Sequence, residues 1–244
     1  MKRSSCLVPA SVLAALCSCA RPVGAPPAAA PPPRPEVRVW GELRAMMHEG
    51  RTEARVAIAP LLATPHLYAV GAVAGMRGEI TVVDGAAWLA LGDRDAGRAS
   101  PGPGDAGAAL LVASHVTDWT RVTIAEDIAF AELDRRIEAL AAAAGIDVEQ
   151  PFAFLIEGRL TDARWHVLAG PPGAGSHDHT EGAVTGEQAA LDGTLVGFFS
   201  KHHEGVFTHM GQHVHAHLVN PSMKLAAHAD RFAIRAGSVL ALPR

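Results

Sequence analysis

The chain has 244 residues, a formal net charge of −4, and 49% hydrophobic against 19% charged residues. That length suits one substantial domain rather than two, and the composition excludes a disordered chain. No Lys/Arg cluster or basic stripe gives nucleic acid a footprint, so none is expected as a partner.

The N-terminus reads as an export signal: Lys2 and Arg3 precede an apolar stretch over residues 7–16. A membrane-spanning helix needs roughly 20 apolar residues, so this stretch is too short to be one. It ends in Leu16-Cys17-Ser18-Cys19, and Leu-x-small-Cys resembles the lipobox of bacterial lipoproteins. Residues 1–18 are therefore expected to be a lipoprotein-type signal peptide, with Cys19 the first mature residue and the site of lipidation. The expected location is the periplasm or cell envelope, held to a membrane by the lipid. All three cysteines (Cys6, Cys17, Cys19) lie in this leader, which excludes a disulfide or thiolate metal site downstream. Residues 19–36 are nearly all Ala, Pro and Gly and read as a tether. The domain is expected to span residues 37–244.

Residues 39–49 suggest a short helix ended by Gly50. Apolar runs at 67–74, 79–83 and 86–91 read as strands, the last two joined by Asp84-Gly85, where a tight reversal needs positive φ. Residues 101–107 form a loop, 108–115 a strand, and 126–144 the one long helix, with an acidic first turn and a Gly145 stop. Strands are expected at 151–158 and 163–168, then, after a Gly/Pro-rich loop at 170–175, at 195–200, 206–219 and 232–242. The expected class is α+β, mostly antiparallel or mixed β-sheet with one long helix.

Histidine is the compositional oddity: six of the 13 fall between His202 and His217. His213, His215 and His217 alternate with other residues, and alternate side chains of a strand share a face, roughly 6.6 Å apart. Asn220-Pro221-Ser222 breaks the strand, and a hairpin would return His228 across the same face. Three neutral imidazoles with an open position describe a catalytic rather than a structural metal site. His202, His203 and His209 are expected to face solvent or to support the ligands, and His177-Asp178-His179 to be no ligand pair. Cupins also place His-x-His on a strand, but a glutamate follows within a few residues; here Val219, Asn220, Pro221 and Ser222 fill that stretch.

Gly193-Thr194-Leu195-Val196-Gly197-Phe198, then His215-x-His217, then His228, resembles the alpha-acetolactate decarboxylase family. Gly78-Glu79 with Asp84-Gly85 is similar to the family's Asp-Gly-Glu strand and hairpin, and Phe154-Leu155-Ile156-Glu157-Gly158 to its Arg-Ile-Asp/Glu-Gly segment. The resemblance implies zinc, or another divalent transition metal, on His215, His217 and His228, with His213 outside the set, and an active-site glutamate at Glu79. It also implies a small 2-hydroxy-3-oxo acid substrate, acetolactate giving acetoin and carbon dioxide. A homodimer is compatible with it. Three positions depart from the family pattern: its arginine corresponds to Leu155, a threonine to Ala72, and a C-terminal glutamate has no counterpart before Arg244. Arg159, four residues beyond Leu155, is the candidate substitute for the arginine. The alternative expectation is a non-catalytic metal- or ligand-binding lipoprotein on the same scaffold. A hydrolase using metal-bound water rests on the three histidines alone.

Overall fold

The computed structural model describes residues 35–102, 105–171 and 180–244. The expected export signal, most of the tether, Cys19, and the run His177, Asp178 and His179 lie outside the described residues.

Seven strands build a first sheet: β1 (Val37–Trp40), β2 (Val56–Ala57), β3 (Leu67–Val73), β4 (Gly78–Val83), β5 (Ala86–Leu91), β6 (Ala99–Pro101) and β7 (Gly107–His115). Their order is β1-β7-β3-β4-β5-β6, with β2 also on β7. A second sheet holds β8 (Trp119–Thr123), β9 (Phe152–Val167), β10 (Val184–Phe199), β11 (Val214–Asn220), β12 (Leu225–Ile234) and β13 (Val239–Pro243). Every pairing between these strands is antiparallel. Two α-helices complete the described residues: α1 (Leu43–His48) and the long helix α2 (Leu133–Ala143). The class is α+β, dominated by antiparallel sheet.

The Asp84-Gly85 turn closes the β4–β5 hairpin as its residue types require, with φ of 49° and 78°. Other boundaries moved. Residues 39–40 belong to β1, because Gly41 turns the chain at φ 77° before α1 begins. The long helix starts at Leu133 after a 3-10 turn, Phe130–Glu132, rather than at Glu126. The acidic residues ahead of it are engaged elsewhere: Ala236 N donates to Asp127 Oδ1, and Ile128 bridges Ile234 at the end of β12. Within α2, Leu133, Ile137 and Ala141 are buried, one residue per turn on the face toward β10.

The two strands expected at 151–158 and 163–168 are one strand, β9, of 16 residues. Its edge partner switches from β13 (at Leu155–Glu157) to β12 (from Leu160 onward). Gly158 lies at the switch with φ 153°, and a Cβ there would overlap Ser238. On its other edge β9 pairs with β10 along almost its whole length. Since β10 also pairs with β11, and β11 with β12, these four strands close a ring. β10 begins at Val184, earlier than the expected 195, because Thr185–Gln188 is polar and shows no strand pattern. β11 begins at Val214 rather than 206, and the run expected at 232–242 is two strands, β12 and β13.

The largest core cluster fills this second sheet, with Phe154, Phe198, Phe199 and Phe207 fully buried. Each such ring contributes about 1.5–3 kcal/mol relative to exposure. The first sheet lies against it where β4 packs on β12 and β3 on β10 and β11. The histidines sit in that seam.

Candidate metal centre

Strand register brings the histidines together. His215 and His217 alternate along β11 and share a face; His217 stands directly opposite His228 on β12. Ring centroids are 5.3 Å apart for His215–His217, 5.0 Å for His215–His228 and 5.6 Å for His217–His228. One nitrogen from each lies within 4.8 Å of the others. His213 does not join them. It precedes β11, packs against Phe199 at 5.8 Å, and holds its Nε2 3.8 Å from Glu204.

From the facing sheet, β4 contributes Glu79 and, two residues on and so on the same face, Thr81. Glu79 is 3% exposed and stands opposite Ala72 in the β3–β4 ladder. Its Oε2 lies 3.7 Å from His217 Nε2, and its Oε1 accepts from Leu168 N at 3.2 Å. The Thr81 hydroxyl is 2.8 Å from His217 Nδ1. This contact fixes the ring so that Nε2 points into the seam.

A fourth histidine completes the cluster. His166 near the end of β9 pairs directly with His228 across the β9–β12 ladder, ring to ring at 4.8 Å. Its Nδ1 lies 2.6 Å from Asp230 Oδ1 and its Nε2 lies 3.9 Å from Glu79 Oε1. His166, His228 and Asp230 form a second group with ligand atoms within 4.8 Å of one another. Reading the sequence missed His166 and Thr81. The signal available for Thr81 was its two-residue spacing from Glu79, and for Asp230 its two-residue spacing from His228; His166 reaches the site only through register.

Burial sets the protonation. It pushes the Glu79 carboxyl up to about 8, opposed by His166 and the Leu168 amide. It pushes His215 down to about 3, helped by His209, and holds His217 and His228 well below the usual imidazole range. Neutral imidazoles next to a protonated carboxyl are the result, which is the state in which histidine coordinates a metal. His215 Nδ1 and His217 Nε2 are buried without a hydrogen-bond partner. A buried polar atom left so costs about 1–3 kcal/mol. A divalent metal would satisfy both, so the residues present fit such an ion.

A cavity of about 30 Å³ adjoins the ligands, lined by Glu79, His166, His209, His215 and His228 and, on the apolar side, by Met46, Leu110 and Leu168 among others. α1 covers it, held by Leu43 N and Arg44 N donating to Val206 and Gly205 carbonyls, each at 2.8 Å. A larger cavity of about 430 Å³ lies outside and shares His209 and His228 with the inner one. His209 thus stands at the site, its ring 5.7 Å from His228, whereas His202 faces solvent beside Glu149. His203 stacks on Phe207 and pairs with Ser200. Leu155 is buried in the core between Val196 and Ala241 and lines neither cavity. Arg159, expected as a substitute cation, is instead exposed and paired with Asp192 at 3.2 Å, because its strand face turns outward beyond Gly158. From β9 it is His166 that faces the site.

Residues 43–241 match the family model described as alpha-acetolactate decarboxylase. A solved structure of acetolactate decarboxylase from Bacillus subtilis subspecies spizizenii is 12% identical, with TM-score 0.70, covering 85% of each chain. The alpha-acetolactate decarboxylase of Bacillus subtilis strain 168 gives the same figures. A Staphylococcus aureus protein of unknown function, described as similar to alpha-acetolactate decarboxylase, is 16% identical with TM-score 0.66, covering 85% of this chain and 84% of its own. No curated protein matches by sequence.

Proposed function

The chain belongs to the alpha-acetolactate decarboxylase family, and from that premise we propose that it is a metal-dependent decarboxylase of a small 2-hydroxy-3-oxo acid, acetolactate or a close relative. The observation that carries this reading is the pair of buried, partnerless imidazole nitrogens on His215 and His217 beside the buried Glu79. His215, His217 and His228 would hold the metal, zinc or another divalent transition ion. Such an ion supplies Lewis acidity toward the substrate's ketone and hydroxyl oxygens.

This chain's own residues do the rest. Loss of carbon dioxide leaves an electron pair on the carbon that carried the carboxylate, and that carbon must gain a proton. Glu79, whose carboxyl burial pushes up to about 8 in the metal-free protein, is the proton donor within reach of the ligand face. Thr81 holds His217 in the tautomer that turns Nε2 inward. Met46, Leu110 and Leu168 give the site an apolar wall. The test is acetoin release from acetolactate, with His217→Ala and Glu79→Gln as controls; wild-type release no better than His217→Ala refutes catalysis at this centre.

A second reading has its own support. The outer cavity is lined by Asp134 and Asp230 and by no Lys or Arg, whereas Arg44 lines a third cavity that shares Leu43, Met47 and His209 with the inner one. The acidic approach past Asp134 and Asp230 favours a cation over a carboxylate substrate. On this reading the protein is a non-catalytic metal-binding lipoprotein, anchored through Cys19 in the cell envelope. It predicts transfer of the ion to a chelating acceptor and no acetoin.

A further inference from the structure

We infer that His166 is a fourth imidazole ligand of the same metal, set in place by Asp230. The inference rests on the metal-centre reading above and deepens it.

Two histidine groups within ligand distance share one member, His228. A neutral imidazole presents a single lone pair, so His228 serves one ion and not two. The four side chains do not form one group at that distance, so it is the shared His228 that joins the two, and one ion held there would draw on His166 from the second group. Its ring lies closer to His228, at 4.8 Å, than any two of the other three rings lie to each other. β9 and β12 are directly hydrogen-bonded neighbours at this pair, so the closeness is built into the backbone register.

The dress of the ring matches that of His217. In His217, Nδ1 is held by the Thr81 hydroxyl and Nε2 faces Glu79 Oε2 at 3.7 Å. In His166, Nδ1–H donates to Asp230 Oδ1 and Nε2 faces Glu79 Oε1 at 3.9 Å. Both rings thus turn the same nitrogen toward the same carboxyl. A carboxylate behind Nδ1–H fixes the tautomer and raises the basicity of Nε2, an arrangement typical of histidines that bind zinc. Asp230 is a positioning residue, since it acts through His166. With four imidazoles on three strands of the ring, substrate oxygens would reach the ion by expanding its coordination beyond four.

The test uses the purified protein, stripped of metal and reloaded with Co²⁺, whose visible bands report ligand number and geometry. Wild type should give the intense bands of a four-nitrogen, near-tetrahedral centre at one ion per chain. His166→Ala should lose intensity as an oxygen ligand replaces the ring, with Zn²⁺ affinity by chelator competition reduced at least tenfold. Free imidazole added to His166→Ala should restore the wild-type bands, which repair of a folding defect would not do. Asp230→Asn should weaken Zn²⁺ by 10–100-fold, the range for loss of a ligand's orienting partner. A His166→Ala spectrum and affinity equal to wild type, in a protein that still needs His217 for binding, overturns the fourth ligand and leaves the three-histidine centre standing. Two ions per chain overturns the single merged centre. Failure of wild type to bind Co²⁺ or Zn²⁺ overturns the metal reading itself.

Discussion

Thr81→Val isolates the contribution of one hydroxyl to metal binding. Valine keeps the β-branch and nearly the volume of threonine, and Thr81 is fully buried, so the packing between β4 and the histidine strands survives. What disappears is the 2.8 Å contact with His217 Nδ1. His217 Nε2 has no hydrogen-bond partner, so the variant leaves both ring nitrogens without one in the metal-free protein. An unsatisfied buried donor costs about 1–3 kcal/mol, part of which the more apolar valine offsets. For the metal-bound protein, losing the group that orients a ligand typically lowers affinity by about 10–100-fold, or about 1.4–2.7 kcal/mol. Chelator competition with Zn²⁺ measures the second quantity and urea unfolding of the metal-free protein the first. Thr81→Ser, which keeps the hydroxyl, should bind Zn²⁺ within a few-fold of wild type. Thr81→Val binding as tightly as wild type would refute the claim that Thr81 sets the His217 tautomer.

The metal-free protein should be most stable near neutral pH. His215, His217 and His228 take up protons near 6.5 when unfolded but resist them when folded, so each makes stability fall as pH drops below that value, by about 1.4 kcal/mol per unit. Glu79 acts oppositely: folded it keeps its proton up to about 8, unfolded it releases it near 4.5, so it lowers stability as pH rises between them. Urea midpoints should therefore decline on both sides of neutrality, with the alkaline decline abolished in Glu79→Gln; a flat profile contradicts this balance. Gly197 pairs with Phe154 across β9 and β10, and a Cβ there would overlap the edge of the ring. Gly197→Ala should lower the Tm through overpacking of about 1–3 kcal/mol, and an unchanged melting curve would show that the ring can step aside. Cells grown with labelled palmitate should yield labelled wild-type protein and unlabelled Cys19→Ala; label in both would place the lipid elsewhere or exclude an anchor at Cys19.

The site was legible where chemistry follows local spacing. His215 and His217 share a face because a strand repeats every two residues, and Asn220-Pro221 announces the turn that returns His228, so three side chains could be assembled from one hairpin. His213 fits the same alternation but lies just before β11, where the chain turns its ring to Phe199 and Glu204. His166 comes from a strand that meets β12 only beyond Gly158, where the four-strand ring closes, and no local pattern carries that information. The same non-local pairing explains β10, whose polar first half is held as strand by β9 rather than by its own residues. Residues 126–132 carry an acidic helix-start signal, yet Asp127 and Ile128 are tied to the end of β12, and helix begins only at Leu133.

The account turns most directly on the metal content of the purified protein, measured by mass spectrometry in the same preparation as an acetoin assay with acetolactate. One divalent transition metal per chain, lost in His217→Ala together with acetoin formation, is the predicted result; protein prepared without chelators that carries no metal and takes up none would contradict it.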